Sequence, residues 1–336
     1  MELELERVAW AERGWPLALA ELAEKARGWR EQWIFLQYTA LAWSTRGFPL
    51  RFLSTLRVLR AANARIAVVY HDVEPYGGRR VIDILRRQTQ VHIMRRAVRM
   101  TDLAIFTVPI EKLSWGPAER KNNIFIPVSA NLPIEASTFG RDEERADSTQ
   151  AVSVFGITGG QEGAEESATI ANAIRFAINK TGRGLRLVVL GRNSESAEAN
   201  LKNALRDLPV QVQVFGVLSA EEVVRALRCS DVLLFVRGPI SSRRSSAIAG
   251  IACGLPVIAM TGSETAAPIT EAGTVLLDRA DQFGEALSRV LTDDAYRASL
   301  AERSRAAQRD YFSWSAIAAK YAKAIRDFDE VDRSPS

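Results

Sequence analysis

The chain has 336 residues, 47% of them hydrophobic and 25% charged, with a formal net charge of +4. That length exceeds one ordinary domain, and the composition is that of a soluble globular protein rather than a disordered or fibrous one. Two cysteines (Cys229, Cys253) and two scattered histidines exclude a disulfide framework and a metal-ligand spacing, and fit a reducing compartment.

Taken in order, PLALAELAEKARG predicts a helix closed by Gly28, and WIFLQYTALAW a buried strand with its exit. A helical stretch from Phe52 to Ala62 leads into RIAVVYHD, a β-branched run that ends in polar residues. RRVIDILRRQTQVHIMRRAVRM carries Ile84, Val91, Met94 and Val98 at helical spacing, so these four are expected on its apolar face. DLAIFTV and NNIFIPV are further short strands. The polar stretch PIEASTFGRDEERADSTQ has no apolar period and reads as a linker over residues 133–150.

Beyond it the pattern restarts. AVSVFG, LRLVVLG, VQVQVFG, DVLLFV, LPVIAM and TVLLD are strands, separated by helical segments such as AEANLKNALRDL and AEEVVRALRCS. Continuous apolar runs are expected of strands covered by helices on both faces. The reading is therefore α/β: two Rossmann-like domains in tandem, the first over 1–132 and the second over 151–312. A terminal helix over 313–328 and a frayed tail over 329–336 follow. Open sheets of this kind bind ligands beyond the carboxyl ends of their strands, and a cleft between the domains is the expected site.

Several short stretches bear on chemistry. Gly156, Gly159 and Gly160 directly follow a strand, where glycine lets the backbone approach a phosphate. Their spacing is G-x-x-G-G rather than the dinucleotide fingerprint, so an ordinary tight loop is the alternative. Ser219 with Glu222 forms a capping box and is read as structural. In PISSRRSSAIAG, Arg243 and Arg244 lie between a strand and a helix with Ser241, Ser242, Ser245 and Ser246. Guanidiniums and hydroxyls at a helix N-terminus suit a diphosphate, the alternative being an exposed basic turn with a serine N-cap. His71 and Asp72 end a strand of the first domain, where either could act as acid, base or hydroxyl anchor, or simply pack. Between Arg46 and Arg99 stand twelve arginines, no lysine, and the acids Asp72, Glu74 and Asp83. With six tryptophans in the first half, this region is either a solvated face and core or a contact for anionic membrane. No nucleic-acid-reading motif is present.

The ordered set of a glycine loop, VVLG, FGVLSAEEVVRALRCSDVLLF, ACGLPVIA and FSW resembles the donor-binding domain of GT-B glycosyltransferases, particularly family 4, over about 151–328. QYTALAWSTRGFPLRFLSTLRVLR with RIAVVYHD is a weaker match to the acceptor domain. The resemblance implies sugar transfer from a nucleoside-diphosphate sugar without a cofactor or metal, usually with retention, and a terminal helix that crosses back to the first domain. Its two customary glutamates, eight positions apart, fall in register on Ser241 and Ala249, and its basic pair after the glycine loop falls near Ile157 and Gln161. In their place stands S-x-R-R-x-S, which is similar to a bacterial subgroup of the family. The first domain opens at or inside its first helix, so the expectation is either that it is shortened or that the first βα unit is missing from this chain.

The chain is accordingly expected to be a glycosyltransferase, with His71 and Asp72 as catalytic candidates. Gly156, Gly159, Gly160, Ser241, Arg243, Arg244 and Ser246 are the expected diphosphate ligands. Its acceptor would be a surface polysaccharide, glycan or lipid-linked sugar. The alternative is a non-catalytic nucleotide-sugar binder or a partner subunit of an active transferase. With no apolar run of about 18 residues and a charged start, the cytoplasm is the expected compartment, with peripheral contact at the inner face of the membrane.

Overall fold

The computed structural model describes residues 4–117, 120–134 and 149–333. The chain forms two compact units: Met1–Ile126 with Lys320–Ser336, and Pro127–Ala319. Most of the expected linker, residues 135–148, lies outside the described residues.

The first unit contains α1 (Trp10–Arg13), α2 (Trp15–Ala26), β1 (Trp33–Tyr38), α3 (Leu50–Ala61), β2 (Arg65–Tyr70), α4 (Val81–Met100), β3 (Leu103–Phe106) and β4 (Asn123–Phe125). Its strands lie in the order β1-β2-β3-β4 and every pair is parallel. Right-handed crossovers that advance in one direction put their helices on one face. Leu56 and Leu59 of α3 and Met94 and Ala97 of α4 accordingly share a core with Val68, Tyr70 and Phe106. The strand registers align Tyr38, Tyr70 and Phe106 across the sheet. Their rings form a ladder, Tyr38 to Tyr70 at 5.4 Å and Tyr70 stacked on Phe106 at 4.9 Å.

One expectation for α4 is corrected. Its buried positions are Asp83, Gln90, Ile93, Met94, Ala97 and Val98, whereas Ile84 is 49% exposed. Ile84 and Ile93 are nine residues apart, which at about 3.6 residues per turn puts them roughly half a turn apart. A stripe drawn through Ile84 therefore misses the core.

The second unit contains β5 (Gln150–Phe155), α5 (Gly160–Thr181), β6 (Leu185–Leu190), α6 (Ser194–Leu205), β7 (Val210–Val214), α7 (Ala220–Arg228), β8 (Val232–Phe235), α8 (Ser245–Ala252), β9 (Val257–Met260), β10 (Thr274–Leu277), α9 (Phe283–Thr292) and α10 (Asp294–Ala307). Its six parallel strands run β7-β6-β5-β8-β9-β10. Winding goes outward from β5 to one edge, then returns to β8 and goes outward to the other, so helices cover both faces. Successive residues of β6 show this: Leu187 and Val189 pack with Ile170 and Ile174 of α5, while Val188 and Leu190 pack with Val224 and Leu227 of α7. At one edge, VQVQV of β7 alternates apolar and polar residues instead of running apolar, and none of its five residues is fully buried.

A twin device pins the amino ends of the two sheets. In TDLAIF, Asp102 donates its N–H to the Ile66 carbonyl at 2.9 Å and accepts the Ile66 N–H at 2.8 Å. In SDVLLF, Asp231 does the same with Ala151, at 2.8 and 2.9 Å. Each aspartate closes a two-point clamp on its neighbouring strand and fixes register where the ladder begins.

The last helix, α11 (Trp314–Arg333), has its residues from Lys320 onward in the first unit. There Phe328 meets Trp33 edge-on at 5.3 Å and Tyr321 meets Phe35 at 6.0 Å. Asp329 pairs with Arg65, so the helix runs past residue 328 into the stretch expected to be a frayed tail. These contacts cover the face of β1 opposite to α3 and α4.

Six of the seven tryptophans (Trp10, Trp15, Trp29, Trp33, Trp43 and Trp115) lie in the first unit, so tryptophan fluorescence mainly reports its unfolding. Replacing Tyr321 and Phe328 together by alanine removes two aromatic contacts at a partly buried face, and should cost about 2–4 kcal/mol. Urea unfolding followed by fluorescence should show the midpoint fall; an unchanged midpoint would mean that α11 does not support this sheet.

Candidate functional site

The turn from β5 into α5 is built on glycine. Gly156 and Gly160 have φ of 82° and 70°, the left-handed region that side chains disfavour. The Gly156 N–H donates to the Leu190 carbonyl at 2.7 Å, and Glu166 accepts the N–H and hydroxyl of Thr158 at 2.7 and 2.6 Å. Gly163 completes the turn: a Cβ there would stand 1.9 Å from the Thr158 carbonyl oxygen. The full pattern is G-x-x-G-G-x-x-G, and its last glycine, absent from the expected set, is legible only as part of that longer spacing. The N-cap of α5, Gly159, makes no side-chain cap bond, which leaves the first turn of the helix to an incoming anion.

Next to this turn lies the loop after β8, because β5 and β8 are neighbours at the point where winding reverses. Arg237 lies over the glycine turn: a Cβ on Gly156 would be 3.2 Å from its Nη1. Sequence reasoning misses Arg237, whose signal is its place directly after DVLLFV. Arg244 is half-buried, its Nη2 3.9 Å from where Gly238 would carry a Cβ. The buried Nε of Arg244 has no hydrogen-bond partner, and the residue makes no ion pair among the described residues. Burial, then the charges of Arg243 and Arg237, lower its pKa against the pull of Glu264.

Arg243, expected beside it as a diphosphate ligand, is engaged elsewhere. Its Nε and Nη2 donate to the two carboxylate oxygens of Glu264 at 2.7 and 2.8 Å. Burial raises the Glu264 pKa, but the hydrogen bonds and charge of Arg243 outweigh it and the net shift is downward. The hydroxyl of buried Ser241 lies beside the same carboxylate and adds to that lowering, in a geometry too loose for a formed hydrogen bond. Ser242 is buried and its carbonyl accepts the Val128 N–H at 3.0 Å. Ser246 stands in the first turn of α8, whose N-cap is Arg244 and carries no side-chain cap bond, where a serine cap was the alternative expectation. The structure thus gathers Gly156, Gly159, Gly160, Arg237 and Arg244 at one reversal point, with Ser246 at the helix start and Ser241 and Arg243 behind them on Glu264. Of these arginines Arg243 alone is paired with Glu264, while Arg244 feels that carboxylate and the charges of Arg243 and Arg237 only through space, an arrangement suited to an added anion.

In the first unit His71 and Asp72 follow β2 but do different things. His71 Nε2 is held by the Gln37 side chain, and burial lowers its pKa against the opposing charge of Asp72. Asp72 accepts the Ala40 N–H at 2.7 Å and lines a cavity of about 360 Å3 at the carboxyl ends of β1 and β2. Tyr38, Glu74, Tyr76, Arg46 and Arg86 line it too. The buried hydroxyl of Tyr38 has no hydrogen-bond partner among the described residues, and burial, then Asp72, push its pKa upward. Gln90, buried on α4, shapes the rim by donating to the Gly47 carbonyl at 2.9 Å and accepting the Tyr76 N–H at 2.8 Å.

Two parallel sheets built with helical crossovers form the GT-B fold, which the following solved structures share. A glycosyltransferase from Rickettsia africae superposes with a TM-score of 0.67 at 12% identity, covering 99% of this chain and 85% of that one. The trehalose 6-phosphate synthase of Burkholderia multivorans gives 0.68 at 14% identity, over 99% and 79%. HepE of Anabaena, in complex with UDP and glucose, gives 0.62 at 13% identity, over 93% and 82%. Residues 154–293, within the second unit, match the family model described as glycosyl transferases group 1. No curated protein matches the sequence. Together these findings show the GT-B fold for the chain and place the glycosyl transferases group 1 match within its second unit. No helix among the described residues is long and apolar enough to cross a membrane.

Two outcomes are expected. Gly163→Ala forces the Thr158 carbonyl aside, so the glycine turn should open and thermal stability should drop by several degrees, read by calorimetry. Glu264→Gln should cost about 2 kcal/mol at neutral pH, since it leaves Arg243 half-buried without its charged partner. A carboxyl held below its ordinary value of 4.5 stabilises the fold above that pH and ceases to as pH falls through the lowered value. The gap between the two proteins should therefore narrow in acid; a constant gap from pH 7 to 3 would exclude the charge of Glu264 as its source.

Proposed function

We propose that this protein transfers a sugar from a nucleoside-diphosphate donor to a hydroxyl of a glycan or lipid-linked acceptor, with retention at the anomeric carbon and without a metal ion. The observation that carries the reading is the unpaired Arg244 beside Arg237 over an uncapped glycine turn. In this reading Gly156, Gly159 and Gly160 let the diphosphate approach the start of α5, Ser246 donates from α8, and the two free guanidiniums carry the charge compensation. Arg243 is a positioning residue: it holds Glu264, which keeps the loop in place and leaves Arg244 without an ion-pair partner, and the Ser241 hydroxyl lies beside the same carboxylate.

As the bond from the anomeric carbon to the diphosphate breaks, negative charge collects on the leaving phosphate, and Arg237 and Arg244 stabilise it without reorganising. The acceptor oxygen forms the new bond on the same face of the sugar, and its proton passes to the leaving phosphate oxygen. The cavity beside Asp72 is assigned to the acceptor, with Asp72 and the Tyr38 hydroxyl orienting its hydroxyl groups and His71 held neutral by burial. The surface-glycan or lipid-linked acceptor of this reading fits a transferase at the inner face of a membrane.

A second reading is supported by one observation. Ser241 and Ala249, which stand where the resembling family carries its two glutamates, are both buried and neither is a carboxylate. That suits a nucleotide-sugar binder or a partner subunit without turnover. Hydrolysis of donor, or transfer to any acceptor of a panel, separates the two.

Because HepE was solved with UDP, UDP is the first nucleotide to titrate calorimetrically, followed by GDP, ADP and dTDP. Arg237→Ala and Arg244→Ala should each weaken binding about 10- to 100-fold, as expected for a lost charge-assisted contact, and together should abolish it. Failure of all four nucleotides to bind the unaltered chain would overturn the donor assignment. Asp72→Asn should lower transfer at least tenfold while leaving nucleotide affinity unchanged; equal loss of both would move Asp72 out of the acceptor role.

A further inference from the structure

The helix α4 presents an outward face that neither proposed pocket uses. At its amino end Val81, Ile82, Ile84 and Leu85 are 85%, 44%, 49% and 51% exposed. Farther along, at helical spacing, stand Arg87, Arg95, Arg96 and Arg99, all exposed. Arg95 is tied to the Trp115 carbonyl. Arg87, Arg96 and Arg99 make no ion pair or hydrogen bond among the described residues. The helix's one acid, Asp83, is buried and paired with Arg86, so the outward face carries cations without a countercharge.

We infer that the outward face of α4 docks on an anionic lipid bilayer, its aliphatic end entering the headgroup region and its arginines lying along the charged surface. Both halves of the pattern are needed for this choice. Aliphatic side chains left in water together with a run of cations are what an interfacial helix presents. A nucleic acid would use the arginines but gains nothing from four aliphatics, and the face offers no Phe, Tyr or Trp ring on which a base could stack. A second copy of the chain would oppose cation to cation. The inference gives the acceptor's side of the proposed reaction a location, yet it stands apart from the donor chemistry: vesicle binding needs no turnover, and nucleotide binding needs no vesicle.

The test is cosedimentation of the full chain with vesicles of phosphatidylglycerol and phosphatidylcholine, against phosphatidylcholine alone. The unaltered protein should bind only the anionic vesicles, and less as salt rises. Arg87→Gln with Arg96→Gln and Arg99→Gln should cut the affinity about 100-fold, as for three surface charges. Val81→Ser with Ile84→Ser and Leu85→Ser should leave a residue of binding that moderate salt removes. Nucleotide affinity, measured on the same samples, should stay unchanged in both variants and so report an intact fold. Equal binding to neutral vesicles, variants that bind like the parent, or binding of an RNA duplex with none to either vesicle would each overturn the inference.

Discussion

Every strand pairing in both sheets is parallel, and most of this molecule's chemistry depends on that constraint. Parallel neighbours cannot be joined by tight hairpins, so each connection crosses the sheet and all carboxyl ends of a sheet gather on one side. The amino ends are then free to be rigid, and Asp102 and Asp231 clamp them. The carboxyl ends are free to be irregular, and there stand the glycine turn, the arginine loop and the cavity by Asp72. In the second unit the reversal of winding between β5 and β8 adds a gap between outgoing loops. Arg237 and Gly156 are about 80 residues apart in sequence yet in contact, and this gap is the reason.

Charge at that reversal point is unevenly settled. A buried or half-buried guanidinium is tolerable when a carboxylate answers it in a forked geometry, as Glu264 answers Arg243. The same carboxylate reaches Arg244 only through space, so two neighbouring cations raise the cost of keeping Arg244 charged. An anion that entered the turn would relieve a repulsion already present, so its binding would repair the protein's own electrostatics as well as add a contact.

Much of this is legible in the residues. The α/β alternation, the strands and the capping box at Ser219 follow from local patterning, and each appears in the structure. The glycine turn and the Arg243–Arg244 pair stand out in the sequence as candidates for an anion site, because residue type and adjacency carry that signal, although Arg243 turns out to be engaged by Glu264. Partnerships are not. Glu264 lies 21 positions beyond Arg243 in an unremarkable loop, and Arg237 is one arginine among many. Tyr38 reads as an ordinary strand aromatic until the sheet register brings its hydroxyl beside Asp72 without a partner. On α4 the apolar count is right and the angle is wrong, since the buried side includes polar Gln90 and Asp83 and the exposed side includes Ile84. A hydrophobicity pattern reports how much of a helix is apolar more reliably than where its neighbours stand.

The division of the chain also bears on the order in which it can fold during synthesis. The second unit is continuous in sequence, whereas the first is assembled from the opening 126 residues and the stretch from Lys320. A chain emerging from its amino end presents β1 with one face uncovered until α11 arrives, after the whole second unit has been made. The middle of the protein can meanwhile complete its own six-stranded sheet. The exposed aromatic side of Trp33 and Phe35 is thus a surface that the nascent chain carries throughout synthesis of the second unit, and one that a chaperone would encounter first.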